Sequence, residues 1–117
     1  MAPETREIPR EEWHVYLDDF SRDLPTLIAM LEVDGQEIGA QIEADTSRLT
    51  AITYDYKDDV VVIGIASVDS SKEDVEHIIS EPRRIAVEEA NGETNFEIED
   101  GEGTKSLLRL RAAPELT

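Results

Sequence analysis

The sequence predicts an α+β domain in which a single N-terminal helix packs on a curled, mainly antiparallel β-meander, or partly closed barrel, of about eight strands. Three observations predict it. Residues 8–20 carry the one strong helical period, with Trp13, Tyr16, Leu17 and Phe20 at i, i+3, i+4 and i+7. From Thr26 onward the apolar residues recur at period two instead. Asp34-Gly35, Asn91-Gly92 and Asp100-Gly101 punctuate that alternation with turn chemistry.

In the helix, Pro9 suits the first turn, where its missing N–H is not needed, and Glu11 and Glu12 lie near the positive helix end. Ser21 and Pro25 are expected to close it, and the aromatic stripe to cap a hydrophobic sheet face. Thr26–Val33 and Gln36–Ala44 then form a hairpin around Asp34-Gly35. A second hairpin joins Leu49–Tyr56 to Val60–Ser67 across Lys57-Asp58-Asp59. The run Val60–Ala66 is nearly continuous in apolar residues, as in a central strand covered on both sides, and Gly64 marks a bulge or a close approach. Ser70–Ser80 fits either period: Ser70 and Glu73 resemble a capping box, yet Val75, His77 and Ile79 alternate, which favours a strand with a helical turn at its start. Pro82 breaks it, and Arg83–Glu89, Glu93–Glu99 and Lys105–Arg111 read as three more strands. The whole of 1–117 makes one domain, with 1–7 and 112–117 expected to fray.

Charge sets the environment. The 28 acids outnumber the 11 Lys and Arg for a net charge of −17, spread along the chain rather than gathered in a tail. Only Lys57, Lys72 and Lys105 are lysines against eight arginines. A lysine-poor, acid-rich surface points to a salt-adapted cytosol, where multimolar salt shrinks the Debye length to about 3 Å or less and screens self-repulsion. A basic partner for an acidic surface is the rival explanation. Direct nucleic-acid binding is disfavoured, since phosphate neutralisation needs a basic face. Anionic membranes would repel the helix's acidic polar face. No signal peptide, membrane span, cysteine or glycine-rich phosphate loop is read from the sequence, so no cofactor is expected and the location is cytoplasmic.

Chemistry-bearing residues are few. A nucleophile needs a base that a third group orients, and the two histidines do not announce one. His14 lies off the helix's apolar stripe and reads as solvent-facing; His77 sits in an apolar alternation and reads as a core or boundary histidine. No catalytic residue is therefore assigned. Asp55, Asp58 and Asp59 form the best candidate metal cluster, without the spacing of an EF-hand loop. Arg84, Arg109 and Arg111 are candidates for an anion-binding pocket, because guanidinium forks suit carboxylate and phosphate; the competing expectation is that these arginines answer Glu88, Glu97 and Glu99 across strands.

The segments IPREEWHVYLDDFSR and IEDGEGTKSLLRLR, with His77, Ile79 and Pro82 between them, resemble a family of small uncharacterised prokaryotic proteins, the domain of unknown function 5335, in a haloarchaeal-type member. The resemblance covers most of the chain and rests on turn and core signatures. It implies one compact domain and transfers no activity or functional residue. Family members commonly place an aspartate directly before the final turn glycine; here the segment is Asp100-Gly101-Glu102-Gly103, so this turn is expected to differ in length.

The expected function is a non-enzymatic cytosolic binding or assembly domain of a salt-adapted prokaryote, its partner an unidentified protein or a second copy paired through Val75–Ile79. The alternative is a small hydrolase or divalent-metal-dependent enzyme using clustered carboxylates with His77. Thermal unfolding across a KCl series should show a melting point that climbs from millimolar to multimolar salt and ignores micromolar Ca²⁺. A jump that Ca²⁺ alone produces would instead make Asp55, Asp58 and Asp59 a specific site.

Overall fold

A computed structural model describes residues 4–22, 27–34, 36–38, 47–67 and 74–112. They form β1 (Glu4–Glu7), a 3-10 turn (Arg10–Glu12), α1 (Trp13–Arg22), β2 (Leu27–Val33), β3 (Gln36–Ile38), β4 (Ser47–Asp55), β5 (Val60–Ser67), β6 (Val75–Ser80), β7 (Pro82–Ala90), β8 (Glu93–Asp100) and β9 (Lys105–Ala112). The single sheet runs β1-β7-β8-β9-β2-β4-β5-β6, with β3 beside β2, and every pairing is antiparallel. Among the described residues no ladder joins β6 back to β1 or β7, so the curled sheet is not closed.

The expected termini and order need correction. Glu4–Glu7 does not fray: it pairs with Ala86–Glu89 as an outer strand, and Ala112 extends β9 opposite Leu27. Residues 1–3 and 113–117 lie outside the described residues, as do 39–46, where the second hairpin strand was expected to continue, and 70–73, where a helical turn was expected. The order is also not a simple meander. Two meanders, β4-β5-β6 and β7-β8-β9, are brought together by β2, which pairs with β9 over its whole length but with β4 only at Ile28–Arg48. Local turns cannot announce a pairing between residues some eighty positions apart.

Beyond that one pair β3 lies beside β2 at Leu31–Val33, and α1 lies along β4. The helix presents side-chain acceptors and donors to an edge of β4 that, among the described residues, has no strand beside it. Ser21 Oγ donates to Ile52 O (2.6 Å) and accepts from Ile52 N–H (3.0 Å), and His14 Nδ1 lies 3.3 Å from Tyr54 O. Ser21 lies in the last turn of the helix, which ends at Arg22, and there its hydroxyl serves β4; Pro25 lies outside the described residues. The stripe behaves as its period predicts: Trp13 and Leu17 are fully buried, while Tyr16 and Phe20 pack edge-on against Phe96 of β8. Trp13 donates to Ile8 O (2.8 Å), meets Tyr54 edge-to-face and lies under the Arg10 guanidinium.

The other connection between the halves is a corner at Glu81. It separates β6, at one end of the sheet, from β7, near the other, and its φ of 52° lies in the left-handed region. Since one residue spans the two strands, the sheet must curl until its ends nearly meet. Glu81 N–H donates to Asp59 O, and Arg10 donates to Pro82 O (2.8 Å), fixing the corner to the β4–β5 turn and the helix entrance. Arg10 also reaches Tyr54 Oη, which in turn donates to Asp59 (2.7 Å).

The inner face is one apolar cluster, from Ala29 and Leu31 through Ile52, Ile63, Ile85, Phe96 and Ile98 to Leu108 and Leu110. A bulge at Thr50 lets Leu49 and Ile52 face the same side despite their odd spacing, and Gly64 lies opposite it. A Cβ on Gly64 would collide with Thr50 Oγ1, so the glycine marks both a bulge and a close approach. The continuous run of β5 is covered on its inner side by the core, whereas Val60 and Val62 on the outer side are half-buried.

Ser21→Ala leaves the Ile52 N–H and C=O without their helix partner and should destabilise the fold by about 1–3 kcal/mol, read from urea or thermal unfolding. Trp13→Ala opens a cavity where helix, corner and both half-sheets meet, and should cost about 3–5 kcal/mol in the same measurement.

Candidate functional site

The incomplete closure leaves a cavity of 260 Å³ at the seam between β6 and the β8–β9 turn. His77 belongs to the inward row of β6, between the core residues Ile63, opposite it, and Ile79. Its Nε2 lies 3.4 Å from the Oγ of Ser106, on the inward row of β9. Ser106 is 3% exposed, a buried polar side chain among otherwise apolar inward residues. Burial depresses the His77 pKa below its ordinary 6.5, so the neutral imidazole is the form the fold favours.

Acidic residues line the same cavity, among them Glu81, Asp100 and Glu102. Asp100 is occupied by the turn: its Oδ1 accepts from Glu102 N–H (2.9 Å) and Thr104 N–H (3.0 Å). The turn closes with Asp100 N–H on Thr104 O, and Gly103 supplies its positive φ of 85°. Among the described residues no carboxylate hydrogen-bonds His77, so the pair lacks the third group that orients a base in a nucleophile–base–acid arrangement. What the seam offers is a neutral imidazole and a hydroxyl at the inner end of an acid-rimmed opening.

The structure disperses the other sequence candidates. Asp55 Oδ1 accepts from Lys57 N–H (2.9 Å) and Asp58 N–H (3.3 Å), while Asp59 holds Tyr54 Oη and lies 3.5 Å from Arg10. Among the described residues no three His, Asp or Glu side chains converge as a metal site. Burial, and then the hydrogen bond and charge of Asp59, push the Tyr54 phenol up, so it stays a proton donor to that carboxylate. Arg84 pairs with Glu7 (2.7 Å) and Glu97 (3.5 Å), and Arg109 with Glu32 (3.5 Å). Arg109 and Arg111 share a 200 Å³ groove on the outer face with Ile28, Met30 and Glu93, and Arg84 lies outside it. His14 is half-exposed, with Nε2 3.4 Å from Asp18 and its ring edge-on to Tyr56.

Ser106 was not singled out by sequence reasoning. Its available signal was parity: in Ser106, Leu108 and Leu110 the first inward position is a hydroxyl where an aliphatic would be expected. Nothing in sequence placed it beside His77, because β6 and β9 share no ladder.

These features define a small α+β protein with an open, curled antiparallel sheet and a polar seam. The chain belongs to a family described as "Family of unknown function (DUF5335)", which it matches over residues 4–117. It is 41% identical over 110 residues to an uncharacterized protein of Aquifex aeolicus, covering 93% of this chain and 94% of the relative. That relative is bacterial and lends no support to a haloarchaeal-type member. No solved structure matches the chain. No helix among the described residues is long and apolar enough to cross a membrane.

The lowered His77 pKa fixes the sign of a pH effect. Below an unfolded-state value near 6.5 the unfolded chain binds the proton and the native chain resists it, so stability falls as pH drops through 6.5 toward the native value. His77→Gln should remove this component: the melting point of the parent relative to the variant should decline between about pH 7 and pH 5.5. Parallel pH profiles for the two proteins would show that burial does not disfavour the charged imidazole.

Proposed function

We propose that the protein is a non-enzymatic binding and assembly domain of a salt-rich cytosol, and that it pairs with a second copy of itself through β6. The observation that carries this reading is that β6 ends the sheet: among the described residues no strand lies on its far side. An unpaired strand offers N–H and C=O groups that another strand completes. The outer row beside that edge, Thr53, Val62 and Ile78, is uncharged, and Ile78 is 54% exposed. In a chain of net charge −17, this uncharged row, with Glu76 the one acid within β6, is where two copies approach with least repulsion. High salt lowers the remaining repulsion and strengthens apolar contact, so the acidic shell and the strip act together. A strand meeting its own copy about a two-fold axis is antiparallel, which matches the pairing throughout this sheet.

A second reading, a small hydrolase, draws on the His77–Ser106 contact in the acid-rimmed seam. It assigns the base to His77 and the nucleophile to Ser106. A panel of activated esters and amides tests it: turnover that Ser106→Ala and His77→Gln both abolish, with both variants folded, would support it. Its metal-dependent form requires Asp55, Asp58 and Asp59 to exchange their present hydrogen bonds for an ion.

Light scattering coupled to size exclusion in multimolar KCl should show a dimer that strengthens with salt. Ile78→Lys should return it to monomer with little change in the monomer's own unfolding. A monomer at high protein concentration and high KCl would sink the assembly reading.

A further inference from the structure

Arginine is scarce in this chain, and the fold brings three of the eight to one patch of the outer face. Arg48 of β4 and Arg111 of β9 are the register partners of Ile28 on its two sides, so together they flank one residue of β2. Arg109 lies two positions along β9, opposite Met30. Strand alternation puts all three on the same face: they are exposed, whereas Leu49, Leu108 and Leu110 beside them in the chain are buried in the core. Arg109 and Arg111 line the 200 Å³ groove of this face with Ile28 and the half-buried Met30.

Ion pairing sorts the eight arginines. Arg10, Arg22, Arg84 and Arg109 each meet a carboxylate at 3.5 Å or less, and Arg6 lies over the Tyr16 ring. Among the described residues no carboxylate pairs with Arg48, Arg83 or Arg111. Two of those three are the arginines that flank Ile28. Glu32 balances Arg109 (3.5 Å), and Glu93 stands opposite Arg111 in the ladder without forming an ion pair with it. Two like charges on one face of neighbouring strands disfavour each other. An anion held between them removes that cost.

We propose that this patch binds a phosphate monoester, its dianion held between Arg48 and Arg111 and its organic part against Met30. Neighbouring strands lie about 4.8 Å apart, so the backbones bearing the two arginines are roughly 10 Å apart, a span that two arginine side chains close from either side. Two unbalanced guanidinium forks match the double charge and the three oxygens of a phosphate. A carboxylate carries one charge and fills one fork. The apolar lining of the groove selects an ester over the bare ion, since inorganic phosphate leaves Met30 uncovered. The net charge of −17 opposes an anion only at long range. At an ionic strength of about 0.15 M the Debye length is about 8 Å, which screens that field and spares contacts at hydrogen-bond distance. The anion site thus keeps Arg109 and Arg111 of the sequence candidates and takes Arg48 in place of Arg84.

The experiment is a titration of the ¹⁵N-labelled protein with phenyl phosphate, followed by NMR at about pH 8, where the phosphate is a dianion. Inorganic phosphate and benzoate are titrated beside it. Saturable shifts centred on Ile28, Arg48 and Arg111 are expected, with inorganic phosphate severalfold weaker and benzoate at least about tenfold weaker. Arg48→Gln and Arg111→Gln should each weaken phenyl phosphate by about tenfold. Glu93→Gln should tighten it, and Arg83→Gln, which removes an equally unpaired cation elsewhere, should leave it unchanged. Benzoate or inorganic phosphate binding as tightly as phenyl phosphate, Arg83→Gln weakening it as much as Arg111→Gln, shifts centred elsewhere, or no saturation up to about 10 mM would each overturn the proposal. Comparison of the three ligands on the parent protein decides the matter even where a variant fails to fold.

Discussion

Among the described residues the edge of β4 between Ile52 and Tyr54 has no neighbouring strand, and backbone groups buried without partners are too costly for a domain of this size to leave open. Helix α1 meets that requirement with side chains. Ser21 satisfies both the N–H and the C=O of Ile52, and His14 approaches Tyr54 O. Once the helix is fixed there, Trp13 and Leu17 are driven into the core and Tyr16 and Phe20 reach Phe96 on the far meander. The helix is thus both a missing strand and a hydrophobic wedge.

The curl of the sheet follows from the same wedge together with the Glu81 corner. Joining an edge strand to a strand near the opposite edge through one residue draws the ends of the sheet together, and among the described residues no ladder joins them. The result is a seam, and the seam is where His77 and Ser106 meet. Arg10 ties this corner, the β4–β5 turn and Trp13 into one unit, through a backbone acceptor, a phenol, a carboxylate and an aromatic face. Each of these contacts at the exposed rim is weak alone. Their shared residue makes them act on one point of the fold.

Charge and polar chemistry divide differently over the two faces. Inside, the cluster is aliphatic and aromatic apart from Ser106 and the half-buried His77. Outside, five of the scarce cations, Arg83, Arg84, Lys105, Arg109 and Arg111, gather on β7 and β9, where Glu7, Glu32 and Glu97 meet three of them. The expectation that arginines answer glutamates across strands therefore holds in kind, with Glu7 and Glu32 among the partners in place of Glu88 and Glu99. Glu7 was out of view because its segment was expected to fray, and Glu32 because β2 was not expected beside β9.

Local physics was legible in the sequence to a considerable depth. The helical stripe, the hairpins at Asp34 and Asn91, the strand character of 75–80 and the significance of Gly64 all depend on side-chain periodicity and turn stereochemistry, which act within about ten residues. Net charge, a sum, was likewise fixed by composition. Partners across the sheet were not legible. The β2–β9 ladder, the docking of Glu4–Glu7 on β7, Ser21 on Ile52, His77 beside Ser106 and the row from Arg48 to Arg111 each join residues distant in the chain. No local preference selects among the strands that are equally able to pair; closure of the core around one helix does.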